Sequence, residues 1–155
     1  MTTLMPLVLT VHLLASVIWV GGMFLAYRVL RPASLVLEPP ARLHLWLGVF
    51  QRFFAWVWLA IALILVTGYV DMVARFGGLE TMPLYLHLMH AIGWLMVILF
   101  AWMYFNGFKP FQQAVMEQNF PLAAQLLNSK IRPVIAINLT LGFVEIIIGN
   151  AGRYF

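Results

Sequence analysis

The chain has 155 residues, of which 64% are hydrophobic and only 9% charged, with a mean hydropathy of +0.96. That balance excludes an ordinary water-soluble domain. A net charge of +4 would suggest nucleic acid in a soluble protein, but the nine basic residues fall mostly at the ends of apolar runs, so no nucleic-acid partner is expected. Cysteine is absent, which rules out disulfides, thiolate metal sites and covalent c-type haem attachment.

Four stretches have the length and apolarity to cross a bilayer core, which takes roughly 20 helical residues: 4–29, 47–70, 84–108 and 133–149. Unpaired backbone groups are costly in hydrocarbon, so each is expected to be a helix despite many Val and Ile residues. The first has no Lys or Arg before it and no small-residue cleavage site after it, and reads as a retained helix. It carries His12, Ser16, Trp19 and Met23 on one face. A basic loop follows, with Arg28, Arg31 and Arg42 against Glu38 and punctuation by Pro32, Pro39 and Pro40. His44 and Trp46 stand near the start of the second span and read as interfacial, whereas Trp19, Trp56 and Trp94 fall deeper, where packing is the default role.

Asp71, Arg75 and Glu80 surround Gly77–Gly78 in the second connection. The third span places His87, His90 and Trp94 on one face. After it, Lys109, Lys130 and Arg132 oppose a single Glu117, and the stretch 110–129 is amphipathic through Phe111, Val115, Phe120, Leu122 and Leu126, predicting a short helix at the membrane surface. The fourth span opens at Pro133 and aligns Asn138, Glu145 and Gly149. The fold class expected is therefore all-α: a polytopic integral membrane protein, one antiparallel four-transmembrane-helix bundle over 1–155. The positive-inside rule puts the first and third loops in the cytoplasm and both termini on the periplasmic side of a bacterial-type inner membrane.

Counted from the outer ends, His12, His87, His90 and Glu145 occur at similar depth on three helices. Charged forms of such groups cost at least ~2.5 kcal/mol at the bilayer centre, and their default reading is functional. Two chemistries suit facing imidazoles in a bundle. In one, His12 and His90 are the axial ligands of haem b, with Gly21, Gly22, Ala91, Gly93 and Gly142 leaving a porphyrin slot. In the other, His12, His87 and His90, with or without Glu145, surround a copper or zinc ion, and Met5, Met82 and Met89 near the same end favour Cu(I). No catalytic triad, phosphate loop or carboxylate pair is present.

The run His12-Leu-Leu-Ala-Ser-Val-Ile-Trp19-Val-Gly-Gly22, followed by Arg28, resembles the first helix of two related membrane families, the CopD-type copper-resistance proteins and the HemJ-type protoporphyrinogen oxidases. The resemblance implies a haem-binding role for His12 and places Trp19, Gly22 and Arg28 at motif positions. His90 falls where HemJ-type proteins have a lysine, and an imidazole there implies bis-histidine ligation of an electron-transfer cytochrome. The expectation is a haem b protein exchanging electrons with a quinone or a periplasmic redox partner, an oxidoreductase in the broad sense. His87 would tune the site and Glu145 would relay protons. Copper handling and porphyrinogen oxidation are its rivals, and a homo-oligomer is left open.

Overall fold

The computed structural model describes residues 4–154, and these contain helices and turns without a strand. Four helices are long and apolar enough to cross a membrane: α1 (Met5–Val36), α2 (Pro39–Phe76), α3 (Leu84–Met116) and α4 (Phe120–Ala151). Their outer surfaces are apolar, with Leu13, Val17, Leu59, Ile98 and Ile147 all exposed, as expected where lipid is the solvent.

The connections are short. Leu37 and Glu38 join α1 to α2, and the left-handed Gly77 ends α2 with its N–H on Val73 O. Gly77 is there because φ of +75° is strained for any residue with a Cβ. Between α3 and α4 only Glu117–Asn119 intervene, and Asn119 caps α4 by accepting from the Leu122 N–H at 3.2 Å.

Each helix outruns its apolar stretch. Arg28, Arg52, Lys109 and Arg132 lie at comparable heights on the four helices, about 28–38 Å from the opposite ends at 1.5 Å per residue. They form a basic belt, beyond which the helices continue as a polar-faced extension. The stretch 110–129, expected as a separate surface helix, is this extension: it belongs to the end of α3 and the start of α4. Phe111, Val115, Ala123 and Leu126 are its apolar face, and they are buried under the bundle, which is why it stands upright instead of lying flat.

Three internal prolines are crossed without a break. The helix widens to five-residue hydrogen bonding over Leu25–Leu30, Tyr104–Phe108 and Leu127–Ile131, and each wide turn ends two residues before a proline: Pro32, Pro110 and Pro133. A proline lacks the N–H and crowds the carbonyl four residues back, and a wide turn relieves both. Pro133 therefore does not open the fourth helix; it follows a wide turn inside it.

α1 packs along α2 and also against α4, while α3 packs along α4. At the basic end α2 meets the extension through an aromatic core. Phe50 and Phe54 stack at 4.9 Å, and the Phe54 ring receives Phe100 and Phe108 edge-on at 5.4 and 5.0 Å. Trp46 continues the stack at 5.0 Å from Phe50 and is only 3% exposed, so it belongs to the core and not to an interfacial belt. Trp56 takes the outward position instead, at 57% exposed.

Candidate functional site

Helix α1 reaches α2 through His12. The imidazole Nδ1 lies 2.9 Å from Thr67 Oγ1. The Thr67 hydroxyl donates its own proton to Leu63 O at 2.6 Å, so toward His12 it can only accept. Nδ1 therefore carries the proton, and the lone pair of His12 is on Nε2, free of that bond. A second-shell hydrogen bond of this kind is how a ligating histidine is held in one tautomer and one ring orientation. Gly68 lies beside the ring: a Cβ there would sit 3.5 Å from His12 Cε1, an ordinary contact.

One helical turn beyond Thr67, on the same face of α2, stands Asp71. One of its oxygens pairs with Arg75, and the other, Oδ1, is buried without a hydrogen-bond partner. Its charge acts on the His12 imidazole. Sequence reasoning placed Asp71 in a loop, but α2 runs on to Phe76 and carries it as a helical residue. The i, i+4 spacing of Thr67 and Asp71 was the available signal.

His90 occupies a different place. Its Nε2 is 3.4 Å from the Tyr69 hydroxyl, the two rings meet edge to face at 5.4 Å, and Trp94 Nε1 points at the same hydroxyl from 3.3 Å. Tyr69 is two residues from Thr67, and two residues turn a helix by about 200°. His12 and His90 thus lie against opposite faces of α2, and the structure does not bring them together around one iron. Of the glycines expected to flank a porphyrin, two are engaged in helix packing: a Cβ on Gly22 would overlap the Phe53 ring, and one on Gly142 would come within 2.7 Å of Val20; Gly21 faces open space.

Glu145 lies between α4 and α3, where Gly93 leaves it space: a Cβ there would be 3.8 Å from Oε1. That oxygen is buried without a partner. His87 is exposed near the start of α3, away from His12, and His44 is exposed with Nδ1 2.9 Å from Pro40 O. Among the described residues no three His, Asp or Glu side chains form a metal-holding group, so His12, His87, His90 and Glu145 do not make one cage. Of the motif positions near His12, Trp19 is buried edge-on to Phe100 at 6.2 Å with its N–H unpartnered. Arg28 lies at the basic belt, about 24 Å along α1 from His12, near the Tyr27 ring.

The two ends of the bundle differ in charge as well. Arg28, Arg31, Arg42, Arg52, Lys109, Lys130 and Arg132 gather at one beside Glu38 and Glu117, whereas the His12 end carries Asp71, Glu80 and Glu145 beside Arg75.

Searches of curated proteins and of solved structures return no match. A protein-family profile described as copper resistance protein D matches residues 47–151, which covers α2 from its third turn through α4 and is more than half of the chain. Four helices able to cross a membrane agree with that assignment, and the chain belongs to the copper resistance protein D family of multi-pass membrane proteins.

Proposed function

We propose that the protein handles copper, taking the ion as cargo at the end of the bundle away from the basic belt, with His12 Nε2 as the first ligand. What carries this reading is the His12–Thr67 pair: a ring nitrogen with a free lone pair, its tautomer set by the neighbouring hydroxyl. Imidazole is a good copper ligand, and the unpartnered Asp71 Oδ1 on the same face of α2 supplies negative charge toward the cation. The charge asymmetry acts in the same sense, since a cation is drawn to the acidic end and repelled by the arginines of the other. His90 and Glu145 stand at related depth on α3 and α4 as later stations for the ion.

The test is copper content of the detergent-purified protein, measured beside its visible spectrum. The wild type retains stoichiometric copper, His12→Ala loses it and His44→Ala keeps it. Full copper retention in His12→Ala sinks the assignment. A Soret band with sharp reduced bands would overturn copper in favour of haem b held by the same imidazole.

A further inference from the structure

At the basic end, away from His12, α1, α2 and α4 line a narrow cleft whose enclosed part has a volume of about 10 Å³, room for one water, behind an open mouth. Its wall is made by two of the wide turns, through Ala26 and Tyr27 of α1 and Leu127 of α4, together with Arg31, Trp46 and Arg132. Two buried N–H groups on this wall have no hydrogen-bond partner: Trp46 Nε1, on a side chain only 3% exposed, and Arg132 Nε. A buried donor left unpaired is costly, and two on one cleft point to a missing acceptor.

The charges sharpen that description. Arg31 of α1 and Arg132 of α4 line the cleft, and Arg42 of α2 stands at the same end of the bundle. Arg132 reaches a neutral partner, Asn128 Oδ1, and Arg31 lies over the Tyr27 ring at 5.1 Å. Among the described residues the ion pair is Arg75–Asp71, at the other end of the molecule; none of the three arginines has a carboxylate within ion-pair distance, and Glu38 one turn before Arg42 is the acidic residue in sequence closest to them. What the cleft lacks is an anion with several acceptor oxygens, which the planar guanidinium fork binds better than any other side chain.

We propose that this cleft seats the phosphate of an anionic phospholipid. At the mouth of the cleft a phosphate supplies oxygens to Arg31 and Arg132 and reaches the buried Trp46 N–H through one water held inside, and the basic belt places the cleft at headgroup height. The rest of the wall, Ala26, Phe50, Leu127 and Ile135, is apolar and suits the start of an acyl chain. A free oxyanion shares the headgroup chemistry but has no use for that surface.

Native mass spectrometry of the whole protein from maltoside micelles, titrated with phosphatidylglycerol or phosphatidylcholine, tests the proposal. Phosphatidylglycerol is expected to bind about tenfold more tightly, and Arg132→Gln and Arg31→Gln each to remove most of that preference. Arg52→Gln leaves it unchanged, because Arg52 is exposed at the belt outside the cleft and bonds its own helix at Gly48 O. Trp46→Phe keeps the ring packing while deleting one N–H, and a partial loss of preference is expected even if an arginine variant folds poorly. Equal binding of the two lipids, or equal loss in Arg52→Gln, overturns the site as a matter of general charge. Displacement of phosphatidylglycerol by inorganic phosphate at equal concentration overturns the lipid in favour of a soluble oxyanion.

Discussion

Toward the basic belt, Trp46, Phe50, Phe54, Phe100, Phe108 and Phe111 fill the space between α2 and α3 with rings that are all 3% exposed or less. Toward the other end the same two helices meet through Tyr69, which is 36% exposed and whose hydroxyl contacts are both longer than 3.2 Å. In a bilayer, apolar side chains gain nothing by leaving lipid for protein, so helices hold together by close packing and by polar contacts. The aromatic half uses the first device and has little chemistry to offer. The looser half leaves ionisable groups half-buried, where a cation can reach them.

The widest test of that contrast is Phe54→Ala. Phe54 is 1% exposed and touches Phe50 of its own helix and Phe100 and Phe108 of α3, so its loss is expected to destabilise the protein by about 3 kcal/mol, at the low end for a buried phenylalanine because lipid already solvates the separated helices. Denaturant unfolding in detergent measures this, and a loss below about 1 kcal/mol would show that the aromatic core is not what joins α2 to α3.

Thr67→Val probes the other half through function. The substitution keeps the shape but removes the acceptor that holds the proton on His12 Nδ1, and copper affinity is expected to fall about tenfold, the lower bound for a lost second-shell partner. Competition with a chelator of known affinity reads the change; an unaltered affinity would mean that His12 needs no help from α2. The smallest effect belongs to Tyr69→Phe. Its two hydrogen bonds are long, and such contacts between membrane helices contribute about 0.6 kcal/mol on average, so unfolding should shift by no more than that. A larger loss would make the two halves more alike than their packing suggests.

Much of the fold is legible in composition. Four apolar runs, basic residues at one set of ends and the absence of cysteine lead to four antiparallel helices. Their limits are less legible, because hydrophobicity marks only the part of a helix inside hydrocarbon. Pro39 and Pro40 stand in the first turn of α2, where a missing N–H costs nothing, and Pro32, Pro110 and Pro133 follow wide turns; none of the five ends a helix as a proline in the sequence suggests. The site divides in the same way. His12, His90 and Glu145 stand out as ionisable groups at membrane depth, whereas Thr67, Tyr69 and Asp71 carry no mark of their own. They acquire a role only from which helix faces them.

The amino-acid sequence alone determined that this protein lives in a membrane as a helical bundle, and which few residues could not be there for solubility in lipid. Tertiary structure alone decided which of them meet. A difference of two residues on α2, Thr67 against Tyr69, sends His12 and His90 to opposite faces of one helix, because each residue turns the helix by about 100°. Depth along a span can be counted from the chain, but azimuth relative to three neighbouring helices is set by packing: Gly22 against Phe53, Gly142 against Val20, and the aromatic stack beneath.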